Sequence, residues 1–313
     1  LDKVKNNLVY ITWYDWKGGS NTMKYKKAIS LLVVCIVVLS LIASLIGVFS
    51  SGGGGEYEFE SIHGEVVKIY GKGIYQYDSV SVVAQGKAQD IVTIVIGIPL
   101  LIVSLYLSCK GSLKGRLLLT GTLGYFLYTY VSYVFLWMYN PLFLVYVILM
   151  SSSFFAFTLS MASFDLQNLS SYFNKRTPVK FLGGFQIFFA VLLTLLWVGR
   201  IIPSVINGTT PLGLEHYTTL VIQGMDLGFI VPAAFVSGML IIKRKPLGYL
   251  LSSVIIMKGI TMGTAITAMI IGMVYEGVKV SVIEMVVFPI INLFIIYCLI
   301  LVLKNINDKG AVS

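Results

Sequence analysis

The stretch 91–116, IVTIVIGIPLLIVSLYLSCKGSLKGR, decides the structural class of this chain. Its first 19 residues carry no charge, and one helix of that length crosses the roughly 30 Å hydrocarbon core of a bilayer. The cations that follow, Lys110, Lys114 and Arg116, make a short basic loop of the kind that stays in the cytoplasm. The stretch therefore predicts both a transmembrane helix and its orientation.

Seven further apolar runs of similar length occur along the chain. They cover residues 28–49, 117–137, 142–164, 181–202, 217–242, 247–273 and 280–303. Basic residues cluster before the first run and in every second loop, at residues 24–27, 110–116, 175–180, 243–245 and 304–309. The pattern predicts an all-α polytopic membrane protein with eight transmembrane helices and with both termini in the cytoplasm.

The composition excludes a soluble domain. Hydrophobic residues make up 57% of the chain and charged residues 12%, whereas soluble domains have roughly 25% charged residues. The net charge of +9 is divided among short loops and forms no continuous stripe, so it argues against a nucleic-acid partner. The lipid bilayer is the predicted partner.

The two ends of the chain differ from its apolar middle. Residues 1–22 begin without methionine, and Lys17-Gly18-Gly19 stands before Met23 as a translated bacterial ribosome-binding site would. We interpret residues 1–22 as translated leader or cytoplasmic tail, and residues 304–313 as a cytoplasmic tail. The run 28–49 is either the first transmembrane anchor or a signal-like segment, and residues 91–303 form a helical membrane domain with the other seven helices.

Residues 51–89 separate the first two apolar runs. Tyr57 and Phe59 alternate with glutamates, and residues 66–70 and 74–83 are rich in β-branched and aromatic side chains around the turn 71–73. The pattern predicts a small extracytoplasmic β-rich segment, too short to have a core of its own. It acts as a cap over the helices or, through residues 56–89, binds a membrane protein partner; the cap is the simpler interpretation.

Two charged residues lie inside apolar runs, where a charge costs roughly 2.5–3.5 kcal/mol on insertion scales. Asp226 lies in the sixth run and Lys258 in the seventh. Four more polar residues extend this candidate ligand or ion pathway: Gln223, Arg200, Glu284 and Asn292. In a carrier, Asp226 would be the coupling group and Lys258 its counter-ion. The alternative is structural, with Asp226 paired to Lys258 and Arg200 paired to Glu284.

Two weaker patterns concern packing. Gly259 and Gly263, like Gly224 and Gly228, are spaced to let a neighbouring helix approach closely. The third run contains four closely spaced tyrosines, which we interpret as headgroup anchors: Tyr125, Tyr128, Tyr130 and Tyr133.

Five residues around the second and third runs recur 133 positions later. The pairs are Pro99 and Pro232, Ser104 and Ser237, Leu107 and Leu240, Lys110 and Lys243, and Gly115 and Gly248. Such a match would make two four-helix halves of the same orientation, a parallel repeat of the kind found in transporters. Because apolar helices share Leu, Ser and Gly by chance, and the match does not reach the fourth and eighth runs, we favour chance.

The sequence lacks the motifs of ATP binding, of a serine nucleophile elbow, of a zinc protease helix and of a Cys-x-x-Cys pair. The three cysteines and two histidines form no spaced ligand set, so we expect no metal site and no cofactor. An enzyme is therefore less favoured than a protein without catalytic activity.

The segment 63–90, HGEVVKIYGKGIYQYDSVSVVAQGKAQD, followed by seven apolar runs, resembles uncharacterised bacterial multi-span membrane proteins. The resemblance implies a multi-pass protein of the bacterial cell membrane and supplies no activity and no site residues. The first functional hypothesis is a transporter or permease-like protein for a small solute or ion. The alternatives are a membrane-embedded enzyme acting on a lipid-linked substrate, and a sensor or accessory subunit of a membrane complex.

Overall fold

The computed structural model describes residues 23–308, so the predictions for residues 1–22 and 309–313 lie outside the described residues. This part of the chain forms eight long helices: α1 Lys26–Phe49, α2 Val80–Cys109, α3 Leu113–Phe135, α4 Phe143–Ala162, α5 Val179–Asn207, α6 Val221–Ile242, α7 Pro246–Tyr275 and α8 Val282–Lys304. Two strands, β1 Tyr57–Glu60 and β2 Val66–Ile69, pair antiparallel between α1 and α2. The protein is an all-α, multi-span membrane protein.

Seven of these helices are long and apolar enough to cross a membrane, and α3 is the one that is not among them. Helix α3 is rich in threonine and tyrosine, and 14 of its 23 residues are buried. It packs against α2, α4 and α7. A helix surrounded by other helices has little contact with lipid, so it can keep polar residues that an outer helix could not.

The segment between α1 and α2 contains less strand than expected. The stretch 74–83, which the sequence assigned to β structure, instead holds part of a 3₁₀ turn, Gly73–Tyr75, and the start of α2 at Val80. Ser79 caps that helix, because its Oγ accepts a hydrogen bond from the Val82 amide at 3.3 Å. Helix α2 therefore begins well before Ile91 and includes Asp90.

The basic loops meet at one end of the bundle. Lys26 Nζ donates to the Cys109 carbonyl oxygen at 3.3 Å, and Ser112 Oγ donates to the Asp308 carboxylate at 3.0 Å. The hairpin lies at the opposite end, where it contacts the loop 208–220. Loops on the same side of a membrane must lie at the same end of the helix bundle, as these basic loops do. That this side faces the cytoplasm stays a prediction.

The constant offset between the two sets of matching residues reflects an internal repeat, and the explanation by chance is wrong. A five-residue π-helical turn interrupts both α2 and α6. Equivalent boundaries are Thr93 and Asp226 at the start of the turn, Gly97 and Ile230 at its end, Cys109 and Ile242 at the end of the helix, and Leu113 and Pro246 at the start of the next. Every pair has the same offset in residue number as the matching residues.

The repeated prolines explain the repeated π turns. Pro99 and Pro232 lie just after the two turns. A proline inside a helix offers no amide hydrogen, and its ring collides with the carbonyl four residues earlier. One extra residue per turn relieves that collision, and single π turns commonly accommodate such a helix disruption.

The two halves, α1 to α4 and α5 to α8, meet through the equivalent helices α3 and α7. A Cβ on Gly121 would lie 3.1 Å from the carbonyl oxygen of Val254, which is its own equivalent. A residue that meets its own equivalent lies near a twofold axis. The symmetry is incomplete, because α2 packs along α7 whereas α6 makes few contacts with α3.

Of the two glycine pairs, only one lies at a helix contact. Cβ atoms added at Gly259 and Gly263 would meet Ile295 and Asn292 of α8. Nothing lies within 4 Å of the corresponding positions at Gly224 and Gly228, so the prediction for that pair is wrong.

Candidate functional site

Asp226 opens the π turn of α6 and is 9% exposed. The Tyr128 hydroxyl of α3 donates to its Oδ1 at 2.8 Å, and Trp197 Nε1 of α5 donates to its Oδ2 at 2.9 Å. A buried carboxylate needs such donors in place of water. Both donors are neutral, so they solvate the carboxylate without cancelling its charge.

Lys258 reaches the other side of the same tyrosine. Its Nζ lies 3.9 Å from the centroid of the Tyr128 ring, a cation–π contact, and its stem passes Gly124 of α3. Among residues 23–308 the only ion pair within 4.0 Å joins Lys68 and Glu56. The direct pairing of Asp226 with Lys258, which the structural alternative required, is not present among these residues, because Tyr128 contacts each of them.

Arg200 and Glu284 do not pair either. Arg200 Nε donates to the Leu212 carbonyl oxygen at 2.9 Å, so its guanidinium ties down the loop that follows α5. Glu284 forms a capping box with Ser281 at the start of α8, where its carboxylate accepts from the Ser281 amide at 3.2 Å. Both residues serve local structure at helix ends, which sequence alone does not distinguish from a pathway role.

Of the two predicted amide residues, Gln223 lies near Asp226 and Asn292 does not. Gln223 is 8% exposed and lies one turn before Asp226 on α6. Asn292 instead contacts α7, where its Nδ2 is 3.4 Å from Thr264 Oγ1 and its Oδ1 faces Gly263. Its Oδ1 is buried and has no hydrogen-bond partner in the structure.

A second buried carboxylate was missed by the sequence analysis. Asp90 of α2 is 3% exposed and accepts hydrogen bonds from the Tyr75 hydroxyl at 2.6 Å and the Tyr133 hydroxyl at 3.0 Å. The sequence placed it just outside the second apolar run, which begins at Ile91. Val83, Gly86, Gln89 and Asp90 recur at spacings of three and four residues, as on one face of a helix. This spacing could have shown that the helix begins before Ile91.

The tyrosines of α3 are core residues, and their interpretation as headgroup anchors is wrong. Tyr125, Tyr130 and Tyr133 are 0%, 2% and 4% exposed. Tyr125 contacts the polar face of α2, since its hydroxyl lies 3.0 Å from Thr93 Oγ1 and accepts from Gln89 Nε2.

The repeat relates the charged pair to a neutral one. Thr93 is equivalent to Asp226, and Tyr125 is equivalent to Lys258, each at the offset of the repeat. In the first half the neutral pair is joined by a direct hydrogen bond. In the second half an acid and a base occupy the same positions without direct contact. Of these two equivalent pairs, only the one in the second half is charged.

The hairpin end holds a third acid. Asp78 is fully buried, and its Oδ1 accepts from the Met138 amide and the Tyr217 hydroxyl, both at 3.0 Å. Its Oδ2 has no hydrogen-bond partner in the structure. Burial raises the pKa of Asp78 to about 7, and the nearby Glu215 carboxylate also acts to raise it.

The comparisons add no family to this geometry. No model of a protein family matches the chain, and no curated protein and no solved structure matches it. The function has to be inferred from the arrangement of Asp226, Tyr128, Trp197 and Lys258.

Proposed function

We propose that the protein is an eight-span secondary carrier whose Asp226, Tyr128 and Lys258 bind a small solute with one positive and one negative group. One observation supports this most directly: two opposite charges lie within the helices and contact the same tyrosine instead of each other. Each charge alone costs free energy in this setting. A direct ion pair would lower that cost if the arrangement served folding alone.

A zwitterionic solute fits the unused capacity of both groups. Its cationic group would approach the Asp226 carboxylate, whose two hydrogen-bond donors, Trp197 and Tyr128, are both neutral. Its anionic group would approach the Lys258 ammonium, which has no carboxylate within 4.0 Å in the described part of the chain. The solute would thus complete two interactions that the protein leaves open.

The scaffold supports a carrier as well. Many secondary transporters consist of two repeated halves of the same orientation, and many contain interrupted helices, as α2 and α6 are interrupted here by π turns. The Asp226 group lies where α6 makes few contacts with α3, whereas the equivalent contact between α2 and α7 is extensive. A solute could therefore pass between α6 and α3 more easily than between α2 and α7.

The test is uptake into proteoliposomes that contain the full chain, with a labelled mixture of free amino acids as the probe. We expect accumulation above that of empty liposomes, with a loss of at least tenfold in Asp226→Asn and in Lys258→Met. Asp165→Asn is the matched control, because Asp165 is an exposed carboxylate in a loop and should transport normally. Absence of uptake by the unaltered protein, or full uptake by both site variants, would contradict the proposal.

The same proposal places the protein in the bacterial cell membrane with its basic loops in the cytoplasm. Cysteine introduced at Ile62, which is 89% exposed in the hairpin, should react with an impermeant maleimide in intact cells. Cysteine introduced at Lys175, in a basic loop, should react only after lysis. The variants need a background in which Cys35, Cys109 and Cys298 are replaced, since all three are free thiols.

A second candidate function is an accessory subunit that binds a membrane protein partner through residues 56–89. It is favoured by apolar side chains that the hairpin exposes, with Phe59 at 44%, Ile62 at 89% and Val66 at 63%. A photocrosslinker at Ile62 should then capture one defined membrane protein in cells, and a crosslinker at Phe155 on α4 should not. Equal capture from both positions would count against this function.

A further inference from the structure

We propose that Asp90 is a proton-binding site in the first half of the bundle, separate from the Asp226 group and independent of whether the protein is a carrier. The carboxylate lies within the α2 span at 3% exposure. Its two oxygens accept hydrogen bonds from the hydroxyls of Tyr75 and Tyr133, which come from different elements. No lysine, arginine or histidine within residues 23–308 forms an ion pair with it.

Two further hydroxyls complete the surroundings. Ser44 of α1 and Tyr146 of α4 are each 1% exposed, and their oxygens form no hydrogen bond in the structure. Both are near enough to interact with the Asp90 carboxylate. Buried polar atoms without partners are costly, so a cluster that keeps them beside an unpaired acid has spare capacity for a charge change.

Lys87, one turn earlier on α2, donates to the Tyr70 hydroxyl at 2.6 Å, and the remaining titratable groups around Asp90 are tyrosines, which stay neutral at physiological pH. Tyr125 and Tyr130 of α3 lie in the same cluster as Tyr133. On α7, which also packs along α2, the charged residue is Lys258, and its ammonium contacts the Tyr128 ring. Asp90 is therefore the one carboxylic acid of this cluster and the group that can take up a proton.

The space at Asp90 favours a proton over a metal cation. A Cβ on Gly47 of α1 would collide with Asp90 Oδ2 and fall 2.6 Å from the Tyr75 hydroxyl, so this glycine leaves only the room that the carboxylate fills. A sodium ion would have to push the hydroxyls apart. A proton needs no additional volume, and the protonated acid can donate to one hydroxyl oxygen while it accepts from another.

A further buried acid, Asp78, lies at the hairpin end of the bundle. Asp78 lies just before the start of α2 and is fully buried, with one carboxylate oxygen free of hydrogen bonds. The indole of Trp137 packs on the Tyr75 ring at 4.6 Å, and the Met138 amide beside it binds Asp78, so the two acids belong to separate hydrogen-bonded groups.

The test is infrared difference spectroscopy of the full chain in lipid, recorded between mildly alkaline and mildly acidic pH. A protonated carboxylic acid shows a carbonyl stretch that a carboxylate lacks. We expect Asp90→Asn to remove one such band and Asp226→Asn to keep it. Tyr133→Phe, which keeps the ring and removes one hydrogen bond, should move the band to higher frequency and serves if Asp90→Asn does not fold.

Three results would overturn the inference. One is an unchanged set of bands in Asp90→Asn, and another is a band that does not move in Tyr133→Phe. The third is loss of the band on adding sodium chloride at constant pH, because a metal cation would then be the ligand. None of these measurements depends on uptake of a solute, so failure of the carrier proposal would leave this one standing.

Discussion

Thr93 and Asp226 occupy equivalent positions in the two halves, and each opens a π-helical turn and contacts a tyrosine hydroxyl of α3. Thr93 Oγ1 is 3.0 Å from the Tyr125 hydroxyl, and Asp226 Oδ1 is 2.8 Å from the Tyr128 hydroxyl. The two tyrosines are three residues apart on the central helix, so they are neighbours on its surface. One helix thus presents a hydroxyl to the equivalent position of each half, and only the second half places a charge there.

The hydrogen bond from Tyr128 to Asp226 gives the first prediction. Tyr128→Phe should lower the free energy of unfolding by about 1.5–3 kcal/mol, because a buried carboxylate loses one of its two donors. Tyr297→Phe is the matched control, since Tyr297 is 51% exposed on α8 and keeps its ring contact with Phe181. It should change the free energy by less than about 0.5 kcal/mol. Equilibrium unfolding in mixed detergent micelles measures both, and equal effects would contradict the assigned bond.

The separation of Asp226 from Lys258 gives the second prediction. In a double-mutant cycle of Asp226→Asn and Lys258→Met, the double variant should not recover the stability lost by the single variants. We expect a coupling free energy below about 1 kcal/mol, whereas breaking a directly paired buried salt bridge costs about 3–5 kcal/mol. The same unfolding assay gives the cycle. Recovery in the double variant would mean that the two charges pair in the membrane and that their role is structural.

The buried Asp78 gives a prediction about pH. Its pKa is 3.8 in an unfolded chain and about 7 when folded, so between these values the folded protein binds the extra proton. The free energy of unfolding should therefore fall as pH rises from about 4 to about 7, by up to about 4 kcal/mol from this group. Stability should be highest at the acidic end of that range.

Asp78→Asn should make this slope shallower by the share that Asp78 contributes, and any slope that is left comes from other groups such as Asp90. The amide oxygen can accept from the Met138 amide and from the Tyr217 hydroxyl as the protonated acid does, and it does not titrate. Asp165→Asn should keep the slope of the unaltered protein near pH 7, since the pKa of exposed Asp165 is lowered by its hydrogen bond to Asn168. Parallel pH profiles for the unaltered protein and Asp78→Asn would show that Asp78 stays charged in the folded state.

The apolar runs carried enough information for most of the fold. Length and lack of charge alone located the helices, because the bilayer penalises every unsatisfied backbone group and every charge. The start of α2 was missed, since the residues that precede Ile91 carry Gln89 and Asp90 and look like a loop until neighbouring helices are known to supply their partners. Burial of a polar helix is a tertiary property that a single sequence does not display.

The candidate site could be predicted only in part. Asp226 and Lys258 were found because charges inside apolar runs are conspicuous. Their partners Tyr128 and Trp197 were not found, because tyrosine and tryptophan in a membrane helix more often anchor at headgroups. The direct pairing is not present among the described residues for a related reason: a flexible lysine can reach many places, and the ring of Tyr128 intercepts it.

The turn between the second and third helix of each half gives the last prediction. Gly111 and Arg244 occupy the equivalent position in the two halves, with φ angles of 84° and 53°. Side chains other than glycine pay roughly 1–2 kcal/mol in this left-handed region. Gly111→Ala should therefore lower the free energy of unfolding by about 1 kcal/mol, while Arg244→Gly should raise it by about 0.5 kcal/mol after the loss of the hydrogen bond to Tyr249. The repeat therefore predicts that the two substitutions change the free energy of unfolding in opposite directions, which thermal unfolding in detergent measures. Changes in the same direction would show that the two turns are not equivalent.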